Sequence, residues 1–172
     1  MDTAWPLGES PAFSPSAKLS WQIQPQGDRC LIITLGDTID ASIGQLCLSV
    51  AHALRVAAIP GVTDVVPSFV AVAVHYRPMP GSDSGLNYRQ LRERIDTLLE
   101  QGVTPLGSGG REIEIPVCYG GEHGPDLDEV ARFAGVSNDE LIALHSLAPC
   151  TVFMLGFAPG HSYVGIHDER LD

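Results

Sequence analysis

The chain has 172 residues, 44% of them hydrophobic, enough for one domain or two small ones with their own cores. Its 21 acidic residues against 10 basic ones give a formal net charge of -11, a field that repels phosphate backbones and anionic lipid. Nucleic acid and membrane surfaces are thereby disfavoured as partners, and no apolar run approaches the roughly 18 residues of a membrane-spanning helix.

Residues 1–18 form a tail with Pro6, Pro11 and Pro15 that lacks the basic and apolar regions of a signal peptide. Residues 28–35 (DRCLIITL) are β-rich and bounded by Gly27 and Gly36, which predicts a strand. Ile43, Leu46, Cys47, Val50, Ala51 and Leu54 then recur with helical spacing. Asp40 or Ser42 is placed to cap that helix, and Pro60-Gly61 to stop it. Residues 62–69 and 70–76 read as two strands. A second helix follows, with Asn87 and Gln90 at capping-box spacing and Tyr88, Leu91, Ile95, Leu98 and Leu99 on one face. This β-α-β-β-α order, running into a further strand, predicts an α+β sandwich of ferredoxin-like character over 19–101.

Residues 102–110 (GVTPLGSGG) have the composition of a linker. Beyond it Ile113, Ile115, Val117 and Tyr119 alternate, as in a half-buried strand opening a second domain over 111–172. Asp126 with Glu129 and Ser137 with Glu140 repeat the capping-box spacing. Val136 and Leu141 fit a hydrophobic staple, and Gly135 fits a helix C-terminus. Residues 150–155 (CTVFML) predict a continuous apolar strand, and 156–172 read as loop. Cys30, Cys47, Cys118 and Cys150 each sit in an apolar stretch without a C-x-x-C pair, which predicts buried free thiols and a reducing, cytoplasmic setting.

Three stretches carry groups suited to chemistry: 119–126 (YGGEHGPD), 144–146 (LHS) and 156–170 (GFAPGHSYVGIHDER). Gly120-Gly121 allows close backbone approach to a ligand, and Glu122 and His123 suit acid–base work; a solvated glycine turn is the blander account. His145 at a helix end fits a general base or a structural histidine. His161, His167 and Asp168 match no standard metal spacing, so no metal site is expected. No phosphate loop, dinucleotide fingerprint or nucleophile elbow is present, and Lys18 is the sole lysine. Residues 127–144 have the look of a helix-turn-helix, yet the second helix opens Asn138-Asp139-Glu140, where base and phosphate contacts need donors.

The run IPVCYGGEHGPDLDEVARFAGVSNDELIALHS, followed by VFMLGFAPGHSYVG, resembles the signature of the KipI-like family, also called the allophanate hydrolase subunit 1 family, which contains the B subunits of bacterial 5-oxoprolinases. The resemblance implies a cyclophilin-like β-barrel over 111–172, incomplete here because several of its strands lie beyond Asp172. It further implies a cytoplasmic subunit of an ATP-dependent enzyme that opens 5-oxo-L-proline to L-glutamate. The partners implied are two: the enzyme's C subunit, which carries a homologous barrel, and its A subunit, of a different fold. ATP, with Mg, would be bound with those partners. On the matching positions, Glu122 and His145 are expected in proton transfer or substrate orientation. Tyr119, Gly120, Gly121, Asp126, Phe157, Gly160, His161 and Tyr163 are expected to bind substrate. The other role the resemblance implies is that of an inhibitor binding a sensor histidine kinase.

Overall fold

A computed structural model describes residues 19–78, 86–106, 111–147, 150–165 and 170. The expected tail 1–18, residues 107–110 of the expected linker, and His167 with Asp168 lie outside the described residues. The chain divides into two compact units, Met1–Leu106 and Gly107–Asp172.

In the first unit the order is β1 (Gln22–Pro25), β2 (Cys30–Thr34), α1 (Ala41–Ala57), β3 (Val62–Pro67), β4 (Ala71–Tyr76) and α2 (Tyr88–Glu100). The strands form one antiparallel sheet in the order β1-β2-β4-β3, so β4 is inserted between two strands joined through α1. Pairing of Leu31 with Val74 and of Ile33 with Val72 puts these four side chains on the same face, and Val65 joins them opposite Val74. Against that face α1 brings Cys47, Val50, Ala51 and Leu54, and α2 brings Leu91, Ile95 and Leu99. The helical and strand periodicities of the sequence thus meet in one core.

Strand β1 was not anticipated. Only Ile23 of its four residues is buried, so the apolar alternation that marks a strand is almost absent. It survives as an edge strand because β2 supplies its hydrogen bonds, and an edge tolerates Pro25.

The helix ends follow the capping signals. Asn87 Oδ1 accepts from Gln90 N–H at 3.0 Å, and Asn87 N–H donates to Gln90 Oε1 at 3.1 Å, which completes the capping box of α2. At α1 it is Asp40 that caps, accepting from the amides of Ser42 and Ile43 and from the Ser42 hydroxyl. The Ser42 hydroxyl and amide hold the Asp40 carboxyl below the usual carboxylate range. A lowered folded pKa contributes stability that is complete above the unfolded value and is lost as pH falls through the folded one. Asp40→Ala is therefore expected to lower stability by about 1 kcal/mol at neutral pH, with the gap narrowing as the solution is taken below the ordinary carboxylate range. Urea titrations of both proteins at several pH values read this directly; a pH-independent gap contradicts the capping account.

The second unit holds α3 (Leu127–Ala134), α4 (Asn138–Leu147), β5 (Thr151–Leu155) and β6 (Ser162–Gly165). Gly135 ends α3 in the left-handed conformation expected of it. Strands β5 and β6 pair into a two-stranded sheet; the strands described here close no barrel.

Several expectations need correcting in this unit. Residues 111–119 form no strand, and Ile113, Ile115 and Val117 are exposed. Alternation supplies an apolar row, but a strand also needs a hydrogen-bonded neighbour, and none pairs with this segment among the described residues. Residues 162–165 lie in a strand where loop was expected, because their pairing with β5 outweighs a composition rich in Gly and His. Asp126 stands before α3 with helical backbone angles and makes no side-chain cap, since capping requires an extended residue there. Ser137 achieves half a box: its Oγ accepts from Glu140 N–H at 3.2 Å, while the Glu140 carboxylate takes Arg170 at 2.9 Å. Cys30 and Cys47 are buried as expected, whereas Cys118 and Cys150 are exposed.

Candidate functional site

All of the expected site residues fall in the second unit. Tyr119 leads into a tight loop. Gly120 and Gly121 both adopt positive φ, 73° and 58°, which glycine reaches without steric penalty. They open a single 3-10 turn, Gly121–His123, closed by Gly124 N–H donating to Gly120 O at 3.1 Å. A Cβ on Gly124 would stand 2.7 Å from the Gly120 nitrogen, so this turn admits only glycine there without backbone movement. Leu127 N–H then donates to Gly124 O and carries the chain into α3.

That loop brings Tyr119 to His145, in the last turn of α4. The phenolic oxygen lies 2.6 Å from His145 Nδ1, and the rings meet edge-on at 83° with centroids 5.7 Å apart. This pairing spans 26 positions and had no signature in the sequence. Glu122 points elsewhere. Its side chain is 87% exposed, and its carboxylate lies 3.5 Å from His123 Nε2. Among the described residues no hydrogen bond or ion pair joins Glu122 to His145.

A second cluster sits on the turn between β5 and β6. Gly156 N–H donates to His161 O at 3.1 Å, and His161 N–H donates to Ala158 O at 3.0 Å. Phe157 stands 94% exposed with φ 60°, a left-handed conformation that costs a non-glycine residue roughly 1–2 kcal/mol. His161 lies between two rings, with centroids 5.7 Å from Phe157 and 5.1 Å from Tyr163, both edge-to-face. A costly backbone angle beneath an exposed aromatic is the kind of strain that collects at ligand sites. Sequence reasoning picked out Phe157, His161 and Tyr163 but not that strain. Gly160 has φ 81° in the same turn, and Asp126 is exposed at the start of α3.

Among the described residues no group of three or more His, Cys, Asp and Glu is placed to hold a metal ion. The helix-turn-helix look-alike is present as α3 and α4. Asp139 and Glu140 occupy the first turn of α4, and Asn138 Nδ2 donates to Asp128 Oδ1 at 2.6 Å, which engages one of the few donors there.

The family described as carboxyltransferase domain, subdomain C and D, matches residues 21–172. A Bacillus subtilis protein, named as the B subunit of 5-oxoprolinase, is 31% identical over 157 residues, covering 88% of this chain and 65% of that protein. A Haemophilus influenzae protein of the same name is 38% identical over 90 residues, which is 52% of this chain and 42% of that protein. The chain therefore spans less than two thirds of the length of these relatives. Among solved structures, TTHA0988 superposes with a TM-score of 0.66 at 30% identity, over 83% of this chain and 27% of that one. Because that family match spans residues 21–172, the chain belongs to the carboxyltransferase domain, subdomain C and D, family.

Proposed function

We propose that this chain is one subunit of an ATP-dependent 5-oxoprolinase, which opens 5-oxo-L-proline to L-glutamate together with two partners, one a related barrel protein and the other unrelated. The similarity to proteins named as 5-oxoprolinase B subunits is the observation that carries this reading. On it, residues 19–101 form a ferredoxin-like domain, 102–110 a linker and 111–172 part of a cyclophilin-like domain. The sheet order β1-β2-β4-β3, with β4 between the two strands joined by α1, supports the first of these assignments.

The described residues do not fit an ATP–Mg site. They contain no phosphate loop and no lysine, and no metal-ligating cluster occurs among them. The nucleotide is therefore assigned to the partner subunits, in a cytoplasmic complex, and no step through it is drawn on this chain. What this chain offers is a surface for the lactam. A cyclic amide resists attack because its nitrogen donates into the carbonyl. Groups that polarise the carbonyl oxygen and place a proton at the departing nitrogen lower that barrier. His145, held by Tyr119, and Glu122 are the groups proposed for these tasks. Gly120 and Gly121 let backbone approach the ligand, while Phe157, His161 and Tyr163 give an apolar wall suited to a five-membered ring; Asp126 and Gly160 flank them.

Reconstitution tests the reading. Glutamate release from 5-oxoproline and ATP is expected only when this chain is combined with both partner subunits. Release by the chain alone would sink its assignment as one part of a larger enzyme. No release from the complete mixture would remove the enzyme reading and leave a binding role, such as inhibition of a sensor histidine kinase.

A further inference from the structure

We propose that Tyr119 is a positioning residue that fixes the tautomer of neutral His145, keeping its proton on Nε2 so that the ring meets its ligand as a hydrogen-bond donor. The proposal deepens the reading of His145 given above, and rests on it only for the ligand class, an amide carbonyl oxygen.

One proton lies between the Tyr119 oxygen and His145 Nδ1, which are 2.6 Å apart. Two arrangements are open: the phenol donates to a bare Nδ1, or an Nδ1–H donates to the phenol oxygen. A phenol loses its proton near pH 10, so it is a far stronger acid than the N–H of neutral imidazole. Its oxygen lone pair, delocalised into the ring, is correspondingly the weaker acceptor. Both properties favour Tyr O–H donating to Nδ1. Neutral imidazole carries a single N–H, so a bare Nδ1 places that hydrogen on Nε2. Nδ1 and Nε2 occupy different edges of the ring, and His145 is exposed, so the bond to Tyr119 leaves the Nε2 edge for a ligand.

The local fold makes this selection durable. Tyr119 is anchored at the mouth of the glycine turn closed by Gly124, and His145 by the last turn of α4. The same approach brings the two rings together edge-on. A histidine so held donates toward a carbonyl oxygen and the charge that develops on it, in the manner of a neutral electrophile. It is not arranged to abstract a proton through Nε2, which leaves base chemistry to another group such as Glu122.

The test uses the full chain labelled with 15N-histidine, held at about pH 8.5, some two units above the ordinary histidine pKa. Two-bond proton–nitrogen correlations report which nitrogen is protonated, and His145→Gln identifies the His145 signals by their loss. The expected pattern is an unprotonated Nδ1 and a protonated Nε2, relaxing to a tautomer mixture in Tyr119→Phe. A proton on Nδ1, or an unchanged pattern in Tyr119→Phe, overturns the proposal. In the reconstituted enzyme Tyr119→Phe is expected to lower kcat about tenfold, the scale of one hydrogen bond, and to have no further effect in a His145→Gln background. A loss that persists in that background gives Tyr119 a role of its own and overturns the positioning role. Normal turnover of His145→Gln beside the expected spectrum would retire the catalytic reading of His145 alone, because the spectrum does not depend on activity.

Discussion

In a urea titration of the full chain, Leu91→Ala is expected to destabilise the first unit by about 2–5 kcal/mol. Leu91 is fully buried on the inner face of α2, in the core that also holds Ile95 and Leu99 from the same helix. Removing its isobutyl group deletes the transfer free energy of the lost carbons. It also leaves a cavity, since helix and sheet close over it only in part. The control lies in the other unit: Leu147, 80% exposed at the end of α4, is expected to change stability by no more than about 0.5 kcal/mol when cut to alanine. Equal effects at the two sites would mean that burial here does not track energetic contribution, and the assignment of the core would fail with it.

Substitution at the proposed site is expected to separate activity from stability. In the reconstituted complex, Glu122→Gln should lower turnover by about 10²-fold or more, the usual scale for an acid–base group, and His145→Ala by about 10²- to 10³-fold, the scale of one donor lost from a developing oxyanion. Both residues are exposed and neither belongs to the buried core, so melting curves should shift little. The structure distinguishes the two variants. His145→Ala breaks a hydrogen-bonded pair, whereas Glu122→Gln disturbs only an exposed contact with His123. A lowered melting temperature with turnover per folded molecule intact would assign both residues a structural role. Turnover unchanged in both variants would remove them from the site while leaving family membership untouched.

How much of this was legible in advance depended on whether a feature is written locally. Cys47, Val50, Ala51 and Leu54 mark α1 because a helix repeats its buried face every three or four residues, and Asp40 and Asn87 mark helix starts because a cap is a contact across two or three positions. Strand β1 escaped because an edge strand with one buried side chain carries almost no pattern. Ile113, Ile115 and Val117 misled for the converse reason, since alternation states a capacity for pairing and does not supply the partner. The site shows the same division. Tyr119, Glu122, His145 and the aromatic residues near Gly160 stood out by type and by glycine context. The union of Tyr119 with His145, the turning of Glu122 toward His123 and the left-handed angle of Phe157 arise only once the chain is folded.

The four thiols are divided unequally between the units, with a kinetic consequence. Cys30 and Cys47 lie in the first unit, and burial pushes both upward, Cys47 to about 12, so almost no thiolate exists there near neutrality. Cys118 and Cys150 stand exposed in the second. An alkylating reagent reacts with thiolate that it can reach, so the chain presents it with a prompt pair and a delayed pair. When the first unit opens, Cys47 becomes reachable and recovers an ordinary acidity near 8.5 in the same event. Both changes accelerate its modification together, and the rate at which the delayed pair disappears is then a clock for opening of that unit. The unaltered chain thus carries its own probe of transient unfolding at Cys47 and its own internal standard at Cys118 and Cys150.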